Sequence, residues 1–189
     1  MDEVTVEPLT PNRAADFFDF FDRRAFVDNP EWSGCYCYFP YHDPATGSWD
    51  ERSAAANRAA MAEAIQRGAA HGFLAYADGQ VVGWCNAAPR QAYPTLARLP
   101  GDPTASGATP CFVVDPQWRR KGVAARLLYA ACEALRAQGM RRMDGAPARA
   151  ARSAARNFRG PLSMFVAAGY EVVEELPDGT VIVAKSLVP

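Results

Sequence analysis

The feature that most constrains this fold is an unbroken unit of strand, turn and helix between residues 109 and 139. Residues 109–114 form an apolar run that predicts a buried strand, and Asp115 with Pro116 predicts the tight turn that follows. Gly139 stands where the C-terminal glycine of a helix is expected. The helix itself has apolar residues at helical spacing, namely Val123, Leu127, Leu128, Ala131 and Leu135. A strand that leads directly into an amphipathic helix predicts a sheet with helices packed on it.

The rest of the chain predicts further elements on both sides of this unit. Thr10 and Pro11 predict a helix start, and the predicted helices cover the segment after them and residues 50–67, 122–138 and 161–168. Predicted strands occupy residues 72–77, 80–87, 109–114, 140–146, 170–176 and 180–186, and the first two and the last two form hairpins. Residues 29–50 and 89–108 are rich in turn formers and are predicted as loops, the first with room for one helical turn. No repeat or linker divides the 189 residues, so we expect a single domain over 1–189.

The turn before the central helix has the features of an anion site. Arg119, Arg120 and Lys121 stand directly before Gly122, where the helix begins. The first backbone N–H groups of a helix lack partners within the helix, and the helix dipole places partial positive charge at that end. Gly122 has no Cβ, so an extended anion can approach the backbone closely. The segment therefore predicts a binding site for a pyrophosphate.

Two common phosphate motifs do not describe this segment. A Walker loop needs Gly-Lys followed by Ser or Thr, whereas here Lys121 precedes Gly122 and no hydroxyl follows. The dinucleotide fingerprint needs three spaced glycines, which are absent from this turn. The expected pyrophosphate site is therefore neither a Walker loop nor a dinucleotide fingerprint.

The segment resembles the acetyl-CoA motif of the GNAT superfamily of N-acetyltransferases, which reads Arg or Gln, two residues, Gly, one residue, then Gly or Ala. Arg119, Gly122 and Ala124 match it in order, with a Pro before the motif and a Leu-Leu pair after it. Residues 165–170, Phe-Val-Ala-Ala-Gly-Tyr, resemble the later helix of the family. The resemblance covers residues 72–186, and the segments Gly-Trp-Cys-Asn and Pro-Arg near residue 86 are similar to a bacterial branch of the superfamily.

The resemblance implies both a fold and an activity. The implied fold is a three-layer α+β or α/β domain with a mixed, mostly antiparallel sheet of about six to seven strands flanked by helices. The implied activity is transfer of an acetyl group from acetyl-CoA to a primary amine, by direct attack on the thioester. Acetyl-CoA is then the acyl-donor cosubstrate, and no metal is required. By analogy alone, the resemblance also admits a homodimer.

The resemblance further implies which residues hold the cosubstrate. Backbone amides before and at the helix start bind the pyrophosphate, and the strand pairs with the pantetheine arm. A backbone N–H near Val114 polarises the thioester carbonyl, an effect worth about 2.7–4 kcal/mol when one such donor is lost. The implied CoA-binding residues are Phe112, Val113, Val114, Arg119, Arg120, Lys121, Gly122, Val123, Ala124 and Asn157. Asn157 is one residue out of register with the family position.

The sequence departs from the family pattern in its acid and base. Many members have a tyrosine that protonates the departing thiolate, but Phe165 stands at that position and has no proton to give. Ser163, Cys111 or a water molecule could replace it. His42, in the loop expected to border the acceptor site, is the candidate base, because an unperturbed histidine titrates near neutral pH. The alternative is that His42 is an ordinary surface residue.

Candidate acceptor residues come from two segments. Tyr36 and Tyr38 belong to an aromatic-rich loop that forms either a wall of the acceptor pocket or a small hydrophobic cluster. Asn86 and Arg90 follow a predicted strand and could reach the substrate. Arg90 could pair with a carboxylate of the acceptor, or form a structural salt bridge instead.

Composition limits the partners. The formal net charge is −1, which disfavours a nucleic-acid partner, and no apolar run reaches the ~18–20 residues that span a bilayer. The acidic N-terminus lacks a signal-peptide pattern, so we expect a cytoplasmic protein without membrane contact. Cys35 and Cys37 are separated by one residue, and even with His42 they do not reach the spacing and four ligands of a zinc site.

The expected acceptor is a small-molecule amine. Two alternatives remain open, a peptide or protein N-acetyltransferase and a non-catalytic sensor that binds acyl-CoA without turnover. The absence of a tyrosine at Phe165 is the feature that favours the sensor.

Overall fold

The computed structural model describes residues 3–150, 153 and 157–188, and within this part the chain forms one seven-stranded sheet flanked by four α-helices. The strands are β1 (Thr5–Pro8), β2 (Gly72–Ala77), β3 (Gln80–Pro89), β4 (Ser106–Val114), β5 (Arg142–Gly145), β6 (Glu171–Glu175) and β7 (Val181–Ser186). The helices are α1 (Ala14–Arg23), α2 (Ala54–Gln66), α3 (Val123–Ala137) and α4 (Leu162–Ala167). The strand order is β1-β2-β3-β4-β5-β7-β6, and the β4–β5 pair is parallel while the other pairs are antiparallel.

Helices cover both faces of this sheet. On one face, Leu127 and Leu135 of α3 are buried in the same cluster as Phe165 of α4 and strand residues such as Phe112. On the other face, α1 and α2 bury a second cluster that centres on Trp84 of β3. These two apolar layers, with the sheet between them, confirm the predicted three-layer fold with a mixed, mostly antiparallel sheet.

Helix α3 lies very close to the sheet at its N-terminal end. A Cβ placed on Gly83 of β3 would lie 2.7 Å from a methyl group of Val123 and 3.3 Å from one of Leu127. Only glycine at this position lets the first turn of the helix pack against the strand. The close packing fixes where the N-terminal backbone of α3 stands above β3 and β4.

Three features differ from the sequence-based expectation. Strand β1 was not predicted, because Thr5–Pro8 is a four-residue edge strand whose pattern is too short to detect. Strand β4 begins at Ser106 inside a predicted loop, and the predicted loop 29–50 contains 3-10 turns, among them Pro30–Cys35 and Trp49–Glu51. These turns need no apolar periodicity, so the visible signals were Pro30 in the first and Ser48 before the second.

Strands β4 and β5 separate after a short ladder. They pair only between residues 106–108 of β4 and Arg142–Asp144 of β5. At the same level the register between β3 and β4 shifts, since Asn86 lies opposite Cys111 and Ala88 lies opposite Ala108. The extra residue in β4 is a β-bulge that bends the strand away from β5. Pro110 lies within the bulge and has no N–H to leave unpaired.

The helices are too short or too polar to cross a membrane, as far as the described residues extend.

Candidate active site

A cleft of about 1510 Å³ opens where β4 and β5 separate. One side, here called the helix arm, is formed by β4, the start of α3 and residues 157–161. The other side, the loop arm, is formed by the cleft-lining residues between 29 and 57 and between 95 and 99. The parted strands therefore connect a helix N-terminus with an aromatic-rich loop in one continuous space.

The start of α3 is open toward the helix arm. Gly122 adopts φ +81°, a left-handed conformation that glycine accepts without strain, and no side chain caps the first N–H groups of α3. A Cβ at Gly122 would meet no atom within 4 Å. Asp115 orders the preceding turn, because its carboxylate accepts a hydrogen bond of 2.8 Å from the Gln117 N–H. The unpaired donors of this helix start are thus accessible to an anion.

The three basic side chains before α3 have different positions. Arg120, at φ +62°, lines the cleft. The guanidinium of Arg119 instead donates to the Val114 carbonyl at 3.1 Å and to both carboxylate oxygens of Asp28, at 2.5 and 3.0 Å. Lys121 Nζ lies 4.8 Å from the ring centre of Trp118 and is not among the lining residues. Arg120 is therefore the basic side chain of this segment that is placed to meet an anion.

The Arg119–Asp28 pair connects the turn before α3 to the chain that follows α1. Hydrogen bonding from Arg119 holds the pKa of the Asp28 carboxyl below its ordinary value. The pair is partly exposed, so its contribution to stability is modest. Its geometric effect is to hold Arg119 against the end of β4.

The β4 backbone presents alternate N–H groups to the cleft. The Asp115 N–H donates to the Val82 carbonyl of β3 at 3.0 Å, and the Phe112 N–H points the opposite way. Above the bulge, the N–H groups of Phe112 and Val114 thus face the cleft, while that of Val113 faces β3. The side chain of Val113 packs into the core beneath α1. The sheet-like donors available to a ligand are therefore those of Phe112 and Val114.

The Phe112 donor is already engaged by the chain itself. Its N–H donates to the Phe158 carbonyl at 2.6 Å. The Phe158 ring lies 5.5 Å from the ring of Trp32 on the loop arm, and the guanidinium of Arg159 lies 5.3 Å from the Phe158 ring centre. Asn157, predicted to contact CoA, also lines this part of the cleft. Residues 157–160 thus close one position of the β4 edge.

The structure does not bring the two proposed catalytic side chains to the cleft. His42 is only 5% exposed, and its Nε2 donates to the Gly47 carbonyl at 3.0 Å within the loop. Ser163 is exposed on α4 and is not among the lining residues. His42 therefore stabilises the loop in which it lies, and neither residue is positioned to move a proton in this cleft.

Two further groups considered for the leaving-group proton are located differently. Phe165 is fully buried, and its ring lies 6.2 Å from Phe112 and 5.0 Å from Tyr170. Cys111 does line the cleft, and a hydrogen bond with Cys37 together with burial raises its pKa well above the ordinary value. The Cys111 thiol therefore keeps its proton at neutral pH and is not a base.

Asn86 is part of a buried hydrogen-bond network. Its Oδ1 accepts from the hydroxyls of Tyr41 and Tyr93 at 2.9 and 2.7 Å, and its Nδ2 donates to the Cys37 carbonyl at 3.2 Å. These three hydrogen bonds, together with complete burial of the side chain, direct Asn86 into the protein. The prediction that Asn86 binds the acceptor is corrected to a role in holding the loop against β3.

Arg90 forms the structural salt bridge that the sequence left as an alternative. It is 1% exposed and donates to Asp144 Oδ2 at 2.7 Å and to the carbonyls of Pro100 and Gly101. Arg142 donates to the other oxygen of Asp144 at 2.6 Å. Arg90 therefore neutralises a buried carboxylate instead of meeting a substrate.

The two predicted acceptor tyrosines lie beside the cleft and not in its lining. The Tyr36 hydroxyl donates to Asp22 at 2.7 Å. The guanidinium of Arg52 lies over the Tyr38 ring, 5.0 Å from its centre. The aromatic loop does supply lining residues, but they are Trp32, Phe39 and Trp49.

Sequence reasoning missed several polar groups of the cleft, among them Glu31, Arg52 and Asn57 of the loop arm. Asn57 lies in an alanine-rich helix and Arg52 directly precedes the Ser53 cap of that helix, so both resemble ordinary helix-start residues. No spacing signal distinguishes them. The described residues contain no cluster of three or more His, Cys, Asp or Glu suited to a metal ion.

Comparison with known proteins is consistent with this geometry. A profile of the Acetyltransferase (GNAT) family matches residues 14–158. No curated protein matches the chain by sequence.

Solved structures share the architecture at low sequence identity. An N-acetyltransferase from Staphylococcus aureus Mu50 is 14% identical with a TM-score of 0.62, and the match covers 98% of this chain and 99% of that one. The aminoglycoside 6'-acetyltransferase type Ii is 14% identical with a TM-score of 0.61, over 98% of each chain. The PaiA N-acetyltransferase from Thermoplasma acidophilum, in complex with coenzyme A, is 14% identical with a TM-score of 0.58, over 97% of this chain and 99% of that one. At such identities the likeness shows the fold, whereas the profile shows the family. The chain belongs to the GNAT family and is an N-acetyltransferase.

Proposed function

We propose that this protein transfers the acetyl group of acetyl-CoA to a primary amine of a small molecule, by direct attack on the thioester. The observation that carries the proposal is the uncapped start of α3 at Gly122, which opens into the cleft between β4 and β5. The anion that this site fits is the pyrophosphate of CoA. The N–H groups of residues 120–124 and the side chain of Arg120 supply the donors.

The edge of β4 supports the next step. With the pyrophosphate at α3, the pantetheine arm lies along β4 and carries the thioester toward the loop arm. The cleft-facing N–H groups are those of Phe112 and Val114, and we assign to one of them the donor that polarises the thioester carbonyl. Because the Phe112 N–H is bonded to Phe158, residues 157–160 must release it before a ligand can use this donor.

The chemistry then needs few side chains. The amine nitrogen forms a bond to the carbonyl carbon, the C–S bond breaks, and the electron pair leaves on sulfur as a thiolate. The amine loses a proton to water in the cleft, and the thiolate, whose pKa lies near 8–9, leaves unassisted or takes a proton from water. This route fits a cleft in which Phe165 replaces the tyrosine acid and His42 is remote.

The loop arm supports a small acceptor over a peptide. Residues 30–57 fold over the cleft in successive 3-10 turns, and Trp32 contacts Phe158 across it. Aromatic side chains of this arm form an apolar wall of the cleft, as expected of a small-molecule site. A peptide acceptor would instead need an open groove.

The cosubstrate site is tested with a pair of substitutions at Gly122. Gly122→Asp places a carboxylate at the helix start, whereas Gly122→Asn has nearly the same shape without the charge. Asp and Asn both tolerate the left-handed backbone better than other residues, and a Cβ here meets nothing, so both variants should fold. Calorimetry should show CoA binding lost in Gly122→Asp and only weakened in Gly122→Asn. Equal, undiminished affinity in Gly122→Asp would remove the basis of the assignment.

A second candidate function is a non-catalytic acyl-CoA sensor, and the buried Phe165 is the observation that favours it. The two candidates differ in turnover. Release of CoA thiol in the presence of a broad amine panel supports the enzyme. Tight acetyl-CoA binding without thiol release for any amine supports the sensor.

A further inference from the structure

The loop arm contains one cation, Arg52, and this cation has no acidic partner among the described residues. By contrast, Arg119 at the end of β4 is paired with Asp28, and the buried Arg90 is paired with Asp144. Arg52 is only partly buried, so its guanidinium remains accessible from the cleft, and no carboxylate lies within 4 Å of it in the described residues. Arg52 is therefore the group of this arm that most restricts what can bind.

The structure orients Arg52 without neutralising it. Its Nε donates to Asn57 Oδ1 at 2.7 Å, and its guanidinium lies 5.0 Å from the ring centre of Tyr38. Asn57 is 3% exposed and is itself fixed, because its Nδ2 donates to the Gly34 carbonyl at 2.9 Å. An aspartate at position 57 would cancel the charge of the guanidinium and would lack the N–H that bonds the Gly34 carbonyl. The neutral amide leaves the charge available.

The terminal nitrogens of Arg52 are largely free. Nη2 lies 3.5 Å from the Ala56 carbonyl oxygen, at the limit of a hydrogen bond. Nη1 has no hydrogen bond to any described residue. Two adjacent N–H groups of a guanidinium match the geometry of a carboxylate, which they bind in a bidentate manner. Arg52 thus presents a carboxylate-shaped set of donors.

Most of the remaining lining of the loop arm is apolar, with Asn29, Glu31, Asn57 and Thr95 as its other polar residues. Phe39 and Trp49 pack edge to face at 5.0 Å, and Trp32, Leu96 and Leu99 line the same space. Glu31 is the acidic side chain of this arm, and it is exposed. A polycationic amine would meet Arg52 with few compensating carboxylates, so this surface disfavours it.

We infer that the acceptor is an amine that carries both a carboxylate and an apolar body, in the manner of a free aromatic amino acid, and that Arg52 determines this specificity. The inference rests on the proposed function, because it names the acceptor class of the same site. The carboxylate binds Arg52, the apolar body packs against Trp49 and its neighbours, and the amine is left to face the thioester.

The test compares three acceptors that differ only at the carboxylate, namely phenylalanine, phenylalaninamide and phenethylamine. CoA thiol release gives kcat and KM for each. The wild-type protein should prefer phenylalanine at least tenfold in kcat/KM. Arg52→Gln should bring that ratio close to one, mainly through a higher KM for phenylalanine, and Arg52→Lys should keep part of it. Asn57→Asp should also reduce the preference, since it neutralises the guanidinium without removing it.

Arg58→Gln is the matched control. Arg58 is paired with Asp22 and lies outside the cleft lining, so its loss should leave the preference unchanged. Equal use of phenylalanine and phenethylamine by the wild-type protein, or an unaltered preference in Arg52→Gln, overturns the inference while acetyl transfer itself stands.

A binding measurement covers the case in which no acceptor is turned over. N-acetylphenylalanine is titrated into the wild-type protein and Arg52→Gln, each with and without CoA. Binding at least tenfold tighter to the wild-type protein supports the role of Arg52, and equal binding overturns it. Failure of the proposed function would be seen separately, as loss of CoA binding in the wild-type protein or its insensitivity to Gly122→Asp.

Discussion

The contact between Trp32 and Phe158 should weaken the binding of CoA. These rings hold residues 157–160 over β4, where the Phe158 carbonyl takes the Phe112 N–H. An aromatic pair of this kind contributes about 0.5–1.5 kcal/mol, and the net gain of the backbone hydrogen bond is of similar size. If CoA binds only after residues 157–160 move away, only the molecules with this segment open can bind it. The apparent association constant of CoA is then the intrinsic constant multiplied by the open fraction.

The size of the effect follows from these terms. Trp32→Ala removes the ring pair and should destabilise the closed segment by about 1 kcal/mol, which corresponds to roughly fivefold tighter apparent CoA binding. This gain in CoA affinity requires that residues 157–160 are mostly closed in the wild-type protein. Its upper limit is therefore set by the ratio of closed to open molecules. Isothermal calorimetry with CoA measures it directly.

A second aromatic residue of the cleft provides the control. Trp49→Ala also removes a lining ring, but Trp49 packs on Phe39 and His42 and has no ring contact with Phe158. Its CoA affinity should remain that of the wild-type protein. The reasoning is refuted if Trp32→Ala binds CoA no more tightly than wild type, because residues 157–160 would then not compete with the ligand.

Two further predictions concern the ion pairs around the cleft. The Arg119 guanidinium lowers the pKa of Asp28 below 3.8, so the pair stabilises the fold above that pH, and its contribution is lost as the pH falls through the lower folded pKa. Asp28→Asn should therefore cost about 0.5 kcal/mol in urea unfolding at pH 7 and progressively less as the pH falls below 3.8, and a difference that stayed constant over this range would contradict it. Asp144→Ala leaves Arg90 buried without a carboxylate and should cost about 3–5 kcal/mol by the same assay. A loss below 1 kcal/mol would show that Asp144 does not balance that charge.

The sequence predicts the strand, turn and helix of the helix arm well because their determinants are local. A strand, a turn, Gly122 and an amphipathic helix follow one another within residues 109–139, and the free N–H groups belong to the backbone. The positions of these N–H groups can be predicted without knowing any contact between distant parts of the chain. The direction of the Arg119 side chain cannot, because its partner Asp28 lies 91 residues away.

The contacts of the candidate acceptor residues were predicted poorly because their determinants are distant in the chain. Asn86 is engaged by Tyr41 and Cys37, which lie more than forty residues before it, and Arg90 is engaged by Asp144, 54 residues after it. A polar residue at the end of a strand is equally suited to a ligand or to such a partner, and only the tertiary structure decides. Arg52 was overlooked because its distinguishing feature is a missing acidic neighbour, which no linear pattern reveals.

The short ladder between β4 and β5 has a mechanical consequence. It divides the sheet into a half that contains β1 to β4 and a half that contains β5 to β7, joined by residues 106–108 and Arg142–Asp144. The bond from Arg90 to Asp144 crosses the same boundary. We expect a change in the distance between the two half sheets to be a rotation of one against the other about this charged, buried junction.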